Sequence, residues 1–305
     1  MKKVIIHIGV PKTATTLLQQ HVFPNITDHI DYIGVIQPRT SKQDPLYSEL
    51  WNLVCLDEAE YEVKLDDVKA RVRQRVNSNN LPLVISEECF CLNSGETLWQ
   101  NKLIRLGEVF CEYNVQILIT TREPVSALFS FYVELYNSLK LEYADLIDFT
   151  DNSNLAKLYD YEYLDSVLRR AFSSADISYV PFELIKSNYF VSAVLDVLGV
   201  NQNIVLDLPN TNAKRKSATS IKTNPRSLTF YLLSVRKIRL FSKIIEIPII
   251  KFMGKRFVKA VGDLKVPLSG TKVMRPTEKE IEKLKIKYAS SLSFISTKTD
   301  VDYRH

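Results

Sequence analysis

Short apolar runs alternate with segments of helical spacing along the first two thirds of the chain. The runs are almost entirely apolar, which is typical of strands buried on both faces of a parallel sheet. The predicted strands are residues 4–9, 81–86, 115–121 and Asp176–Pro181. The predicted helices are residues 15–23, residues 99–113, Pro124–Leu139 and Tyr189–Leu198. Pro124 suits the first turn of a helix and Gly199 suits a C-terminal cap.

Strands that alternate with helices predict an α/β fold, with a central parallel sheet covered by helices on both faces. Residues 210–225 form a polar, basic stretch without apolar periodicity. Beyond it, two or three helices are predicted, interrupted by Pro248 and Pro267. The chain is therefore divided into a core, residues 1–223, and a basic C-terminal helical region, residues 224–305, expected to pack on the core.

The charge is distributed unevenly along the 305 residues, although the net charge is only +5. Residues 1–210 contain 18 Lys and Arg but 28 Asp and Glu. Residues 211–305 contain 22 Lys and Arg but only 7 Asp and Glu. A basic region of this kind attracts a nucleotide, an acidic polymer or an anionic membrane. The alternative is a solvated helical surface. Apolar residues make up 46% of the chain, which is enough for a large buried core.

The cysteines and the N-terminus give no sign of a metal site or of secretion. None of the four cysteines forms a CxxC pair, so reduced thiols and no metal are expected. The N-terminal apolar run is broken at His7 and ends before Lys12, which favours a strand over a signal peptide. No run approaches the roughly 20 apolar residues of a membrane-spanning helix. We therefore expect a cytoplasmic protein, with peripheral attachment to the inner face of the membrane left open.

The first motif lies where the first strand gives way to a helix. Residues 7–18 are His-Ile-Gly-Val-Pro-Lys-Thr-Ala-Thr-Thr-Leu-Leu. Unpaired amides at a helix N-terminus and the helix dipole attract an anion, and Lys12 adds a full charge. A kinase-type P-loop needs a Gly-Lys pair. No glycine stands directly before Lys12, which disfavours ATP chemistry. The alternative is an ordinary capped helix with a surface lysine.

The second motif follows the third strand, in the segment Thr-Thr-Arg-Glu-Pro-Val-Ser-Ala-Leu-Phe-Ser-Phe-Tyr, residues 120–132. Arg122 comes at the carboxyl end of the strand, where open α/β sheets bind ligands. Ser130 follows eight residues later, about two helical turns away. Both side chains can donate to a phosphate. The alternative is that Arg122 pairs with a carboxylate.

Together the two motifs resemble those of sulfotransferases that use 3′-phosphoadenosine 5′-phosphosulfate (PAPS). Pro-Lys-Thr-x-Thr-Thr is close to the form in bacterial and carbohydrate sulfotransferases, and Arg-x-Pro with a later Ser resembles their 3′-phosphate segment. The resemblance implies a P-loop-like three-layer sandwich, in which Lys12 contacts the bridging and sulfo oxygens. The donor-binding residues it implies in these motifs are Pro11, Lys12, Thr13, Ala14, Thr15, Thr16, Arg122 and Ser130.

Residues 83–88, Leu-Val-Ile-Ser-Glu-Glu, resemble the Ile-Ser-Ser-Glu strand end of bacterial sulfotransferases. In that register Glu88 is the family carboxylate and Glu87 replaces a serine. The resemblance makes Glu88, with Lys12, the predicted catalytic pair, and Glu88 would take the proton of the acceptor. Two alternatives stay open: an exposed acidic turn, and an ion pair that orients Lys12. No histidine, His7 included, lies in a clear family register.

The late segment Asn-Thr-Asn-Ala-Lys-Arg-Lys-Ser, residues 210–217, resembles in position the loop that closes over the adenosine 3′,5′-bisphosphate end of the donor. Lys214, Arg215 and Ser217 are therefore predicted phosphate contacts.

The resemblance also suggests a saccharide or lipid-linked glycan acceptor, and no nucleic acid. The basic residues between 211 and 275 suit an anionic membrane, an acidic glycan or plain solvation. A P-loop-type kinase and a non-catalytic nucleotide- or membrane-binding protein remain alternatives.

Overall fold

The computed structural model describes residues 3–39, 41–187, 189–200, 220–222, 272–299, 301 and 303. Within them, five strands form one parallel sheet in the order β2-β3-β1-β4-β5. The strands of this sheet are β1 (Lys3–Gly9), β2 (Asp31–Tyr32), β3 (Leu83–Ser86), β4 (Asn114–Thr121) and β5 (Asp176–Pro181). A separate antiparallel pair is made by β6 (Ser220–Lys222) and β7 (Lys272–Met274).

The described helices cover the two faces of the large sheet and continue into the C-terminal part of the chain. They are α1 (Thr15–Leu17), α2 (Pro45–Val54), α3 (Glu58–Ser78), α4 (Trp99–Val109), α5 (Pro124–Leu139), α6 (Leu146–Asn152), α7 (Tyr161–Ala171), α8 (Tyr189–Leu198), α9 (Glu278–Lys287) and α10 (Ala289–Lys298).

Alternate side chains of the central strands enter two separate hydrophobic cores. On β1, Ile6 and Ile8 belong to the larger core, whereas Ile5 belongs to the smaller core on the opposite face. On β4, Ile117 and Leu118 divide in the same way. Because successive side chains of a strand point to opposite faces, an apolar run without alternation has to be covered on both. The predicted α/β class is therefore confirmed.

The strand order reverses beside β1. The chain passes from β1 to β2 and β3 on one side and then crosses to β4 and β5 on the other. Loops that leave a sheet in opposite directions open a crevice at the carboxyl ends of the strands. The β1–α1 loop and the β4–α5 loop, which carry the two sequence motifs, meet at this point.

The predicted helix at residues 15–23 is helical throughout but not regular. The α1 turn ends at Leu17, a π-helical turn follows at Leu18–Val22, and a 3-10 turn closes the segment at Phe23–Asn25. Pro24 has no N–H to continue the helical ladder, so the helix has to end here. Leu18, Val22 and Phe23 are all fully buried, so the wide turn brings them to the same core.

The described C-terminal helices contact the core through a buried serine and an exposed ion pair. Ser291 on α10 accepts a hydrogen bond from the Tyr161 backbone N–H (2.8 Å) and donates one to the Tyr159 carbonyl (3.0 Å). Lys287 on α9 forms an ion pair with Asp151 (2.7 Å). Both helices therefore rest against the segment that leads into α7. In the described part of the chain, no helix has the length and apolar character needed to cross a bilayer.

Candidate functional site

The β1–α1 loop turns through two left-handed residues that are not glycine. Lys12 has φ 71° and Ala14 has φ 70°. Such conformations cost free energy and persist only where the surroundings impose them. Thr15, the first residue of α1, lies directly over Gly9, where a Cβ atom would come within 2.1 Å of the Thr15 hydroxyl. Glycine at position 9 therefore allows the loop to fold back on the end of β1.

Hydrogen bonds fix the backbone of this loop on both sides. The Thr13 hydroxyl donates to the Val10 carbonyl and also contacts the Thr120 hydroxyl, both at 2.6 Å. The Tyr159 hydroxyl donates to the Pro11 carbonyl (3.1 Å). Tyr159 and Thr120 are fully buried, so the loop is held by rigid parts of the core.

Arg122 follows β4, as predicted, and both its backbone and its side chain are held. The Tyr161 hydroxyl accepts from the Arg122 backbone N–H (2.9 Å) and donates to the Arg122 carbonyl (2.6 Å). The guanidinium carbon lies 4.7 Å from the centre of the Phe182 ring, a cation–π distance. Among the described residues Arg122 forms no ion pair with a carboxylate, the alternative that the sequence left open.

The two predicted motifs meet in space. The Arg122 side chain donates through Nη1 to the Lys12 carbonyl oxygen at 3.2 Å, across 110 positions of sequence. Ser130 lies two turns into α5 and is half-buried. Glu123 caps the same helix by accepting from the amides of Val125 and Ser126. The structure thus brings Lys12 and Arg122 to one edge of the sheet.

Lys12 has a carboxylate partner that sequence reasoning missed. Its Nζ atom lies 2.6 Å from Oε2 of Glu134 on α5, and both side chains are partly exposed. Glu134 comes four residues after Ser130, so the two occupy the same helix face. That spacing was the one signal available in the sequence, and many surface glutamates share it.

Glu87 has a structural environment. Its carboxylate is fully buried and receives both Nη atoms of Arg39, at 2.7 and 2.8 Å. The Tyr47 hydroxyl and the Cys89 amide also donate to it. Burial opposes the charge, but the Arg39 hydrogen bonds outweigh it and lower the pKa of Glu87. The alternative of an exposed acidic turn therefore does not apply to Glu87.

Glu88 is half-buried at the start of a 3-10 turn, Glu88–Cys91. Burial and the negative charge of Glu134 raise the pKa of Glu88 to about 7, although Lys12 acts in the opposite direction. Lys12 pairs directly with Glu134 and not with Glu88. A carboxyl group with a pKa near 7 is suited to accept a proton at neutral pH.

His7 is packed inside the sheet. Its Nδ1 lies 2.8 Å from the Ser86 hydroxyl and its Nε2 lies 3.4 Å from the Thr120 hydroxyl. Complete burial lowers its pKa to about 3, so it is neutral at physiological pH. It supports the strand ends beneath the loops.

The predicted contacts Lys214, Arg215 and Ser217 lie outside the described residues.

A buried polar atom at the site has no hydrogen-bond partner among the described residues. It is the Thr15 hydroxyl oxygen, although Thr15 begins the helix that follows Lys12. Since buried hydroxyl groups in folded proteins are almost always paired, such an atom is a feature that needs an explanation. Within the described ranges no cluster of histidine, cysteine or acidic side chains is arranged to hold a metal ion.

Comparisons with known proteins give structural similarity at low identity. The chain is similar to the crystal structure of a sulfotransferase from Alicyclobacillus acidocaldarius, with 13% identity and a TM-score of 0.40 over 71% of this chain and 87% of that chain. It is also similar to a sulfotransferase domain of the Synechococcus PCC 7002 olefin synthase, with 13% identity and a TM-score of 0.31 over 66% and 74%. No protein-family model and no curated protein sequence matches this chain.

Proposed function

We propose that this protein is a sulfotransferase that moves the sulfo group of PAPS to a hydroxyl or amine of an acceptor. One observation carries the proposal: Lys12 and Arg122, each in a motif that resembles the phosphate-binding segments of that family, meet at a hydrogen bond of 3.2 Å. Two cations on adjacent loops suit a donor with phosphate groups at both ends. A kinase-type P-loop has a glycine directly before its lysine, whereas Pro11 precedes Lys12 here.

The residues of the loops fit such a donor. The Thr15 hydroxyl, which has no hydrogen-bond partner in the described part of the chain, gives the 5′-phosphate a donor. The left-handed conformations of Lys12 and Ala14 suit a loop in which successive backbone amides would turn towards an anion. On the other loop, Arg122 with Ser130 would hold the 3′-phosphate.

The proposed reaction is an in-line displacement at sulfur. The acceptor oxygen forms a new S–O bond, the bond from sulfur to the bridging oxygen breaks, and adenosine 3′,5′-bisphosphate leaves. Lys12 offsets the negative charge that grows on the bridging oxygen. Glu88 takes the acceptor proton, for which its raised pKa is suited. Binding of the distant 3′-phosphate by Arg122 helps to position the sulfo group.

The acceptor proposed is a saccharide or lipid-linked glycan. It rests on the likeness of the Pro-Lys-Thr-x-Thr-Thr segment to that of carbohydrate sulfotransferases. Most of the basic residues between 211 and 275, which suit either an acidic glycan or an anionic membrane surface, lie outside the described part of the chain. A panel of glycans and glycolipids is therefore the appropriate screen.

The test of the reaction is transfer of a labelled sulfo group from PAPS to that panel. Lys12→Ala is expected to lower turnover by about 10²-fold or more, the usual loss for one charge-stabilising donor. Lys140→Ala is the matched control, because Lys140 is an exposed lysine at the far end of α5. Near-normal turnover of Lys12→Ala would remove Lys12 from the chemistry, and no transfer from PAPS to any acceptor would oppose the function itself.

The test of donor binding is calorimetry with adenosine 3′,5′-bisphosphate and with ATP. Arg122→Ala is expected to weaken binding of the bisphosphate by about tenfold or more, since a hydrogen bond to a charged group contributes about 1.5–3 kcal/mol. Arg170→Ala, at an exposed position near the end of α7, is the control. Equal affinity of Arg122→Ala and the unaltered protein would contradict the assignment. Preference for ATP would favour a kinase.

A further inference from the structure

The Lys12 ammonium group, which would contact the proposed donor, forms an ion pair with the carboxylate of Glu134. The Nζ–Oε2 distance to Glu134 is 2.6 Å, and 28% of the Lys12 side chain and 39% of the Glu134 side chain are exposed. A pair with this much exposure is accessible to an anion that enters from solvent. It is also weak, because exposed ion pairs contribute only about 0.2–1 kcal/mol.

The backbone of Lys12 does not depend on this pair. Arg122 holds its carbonyl oxygen, and the flanking residues Pro11 and Thr13 are anchored by Tyr159 and Thr120. These hydrogen bonds hold the loop backbone independently of the contact between the Lys12 ammonium and Glu134. Glu134, on the rigid helix α5, decides where that side chain rests.

A carboxylate and a phosphosulfate compete for the same ammonium group. If Glu134 kept its close contact, its negative charge would lie beside the incoming anion and oppose its binding. An anion at the loop is therefore bound most tightly when the Lys12 ammonium turns away from Glu134 and contacts the anion. Part of the affinity for the anion has to be spent on breaking the ion pair.

We propose that Glu134 is a positioning residue that holds the Lys12 ammonium in the donor-free protein and releases it when an anion binds at the β1–α1 loop. This inference rests on the proposed function, because it takes the donor to be the natural anion. It adds a residue that the sequence motifs do not contain. The ion pair fixes the position of the ammonium group in the donor-free protein and lowers the affinity of the loop for simple anions.

The charges of Glu134 and Lys12 also affect the pKa of Glu88. The charged groups that face Glu88 are Glu134, Lys12, Arg39 and Glu87. The charge of Glu134 raises the pKa of Glu88, and the charge of Lys12 lowers it. Loss of the Glu134 charge would thus lower the pKa of Glu88, so that the ionised base would persist to more acidic pH.

The first test uses inorganic sulfate as the probe, titrated by NMR at low ionic strength. Glu134→Gln is expected to bind sulfate about two- to fivefold more tightly than the unaltered protein, the range set by partly exposed ion pairs. Glu134→Asp, which keeps the charge, should bind as the unaltered protein does. Glu142→Gln removes an exposed carboxylate just beyond α5 and should change nothing.

The background variant Lys12→Met separates the ion pair from a general charge effect. In that background, Glu134→Gln is expected to give a smaller gain in sulfate affinity than in the unaltered protein, because only the repulsion by the Glu134 charge is left to remove. Three results would overturn the proposal: unchanged or weaker sulfate binding by Glu134→Gln, an equal gain in the Lys12→Met background, and no measurable sulfate binding by any variant.

The second test is the pH profile of kcat/KM with PAPS and a working acceptor. Glu134→Gln is expected to move the acidic limb to lower pH, and Glu134→Asp to leave it in place. A purely structural role would lower activity without moving the limb. The sulfate titration requires no sulfo transfer, so failure of the proposed reaction and failure of the Glu134 inference give different results.

Discussion

Glu87 and Glu88 are adjacent in sequence and have opposite environments. Glu87 turns inward, where the Arg39 guanidinium and the Tyr47 hydroxyl satisfy its charge. Glu88 is half-buried and is affected by the charge of a second carboxylate, Glu134. Burial raises the pKa of both carboxyl groups. For Glu87 the hydrogen bonds from its partners outweigh burial and lower the pKa, whereas for Glu88 the like charge of Glu134 raises the pKa further. Only Glu88 is thus suited to exchange a proton with a ligand.

Glu88→Gln is expected to lower kcat for sulfo transfer by about 10²- to 10⁴-fold, the usual contribution of a general base. Because the pKa of Glu88 is raised to about 7, the rate of the unaltered enzyme should rise with pH through about 7. That acidic limb should be missing in the variant. Glu96→Gln, at an exposed position after the same strand, is the control for rate and profile.

A second readout of Glu88 does not need an acceptor. A carboxyl group whose pKa is raised by folding makes the protein less stable as pH rises from about 4.5 through about 7. Glu88→Gln should therefore raise the unfolding temperature at pH 8 and change it little at pH 5. A transfer rate and an acidic limb equal to those of the unaltered enzyme would remove Glu88 as the base, whatever the stability result.

At the scale of elements, the apolar pattern was sufficient for the parts of the fold that are buried on both sides. The predicted strands at residues 4–9 and 115–121 correspond to β1 and β4, and Pro124–Leu139 is a helix with the bounds expected. The two-residue strand β2 and the long helix α3 were not predicted. Of the 21 residues of α3 only Tyr61, Val68, Val72 and Val76 are buried, so its apolar face is narrow.

The residues of the site that directly follow a strand could be predicted from the sequence. Lys12 and Arg122 each follow a strand that could be recognised, and parallel strands end at the same edge of a sheet. The partners Glu134, Tyr161 and Phe182 reach this edge from helices and turns whose packing no local pattern specifies. Their positions depend on tertiary contacts, such as the clasp of the Tyr161 hydroxyl on the Arg122 backbone.

At the scale of the whole molecule, the C-terminal part of the chain holds the β4–α5 loop in place through a series of hydrogen bonds. Ser291 on α10 holds the backbone of Tyr161, and the Tyr161 hydroxyl holds the backbone of Arg122. Near the end of the chain, the Tyr303 hydroxyl donates to Glu183 (2.7 Å), which in turn accepts from the Glu123 amide (3.0 Å). Contacts between residues far apart in sequence thus fix the β4–α5 loop.

Ser291→Ala is expected to lower the free energy of unfolding by about 1–3 kcal/mol, because it leaves the Tyr161 N–H and the Tyr159 carbonyl without their partner in the core. It should also weaken the binding of adenosine 3′,5′-bisphosphate, since Tyr161 would hold Arg122 less firmly. Ser290→Ala, at the exposed neighbouring position of α10, is the control, with a change within about 0.5 kcal/mol. Denaturant unfolding and calorimetry measure the two effects. Equal unfolding midpoints for the two variants would show that α10 does not support the core in this way, and lost stability with unchanged bisphosphate affinity would disconnect it from Arg122.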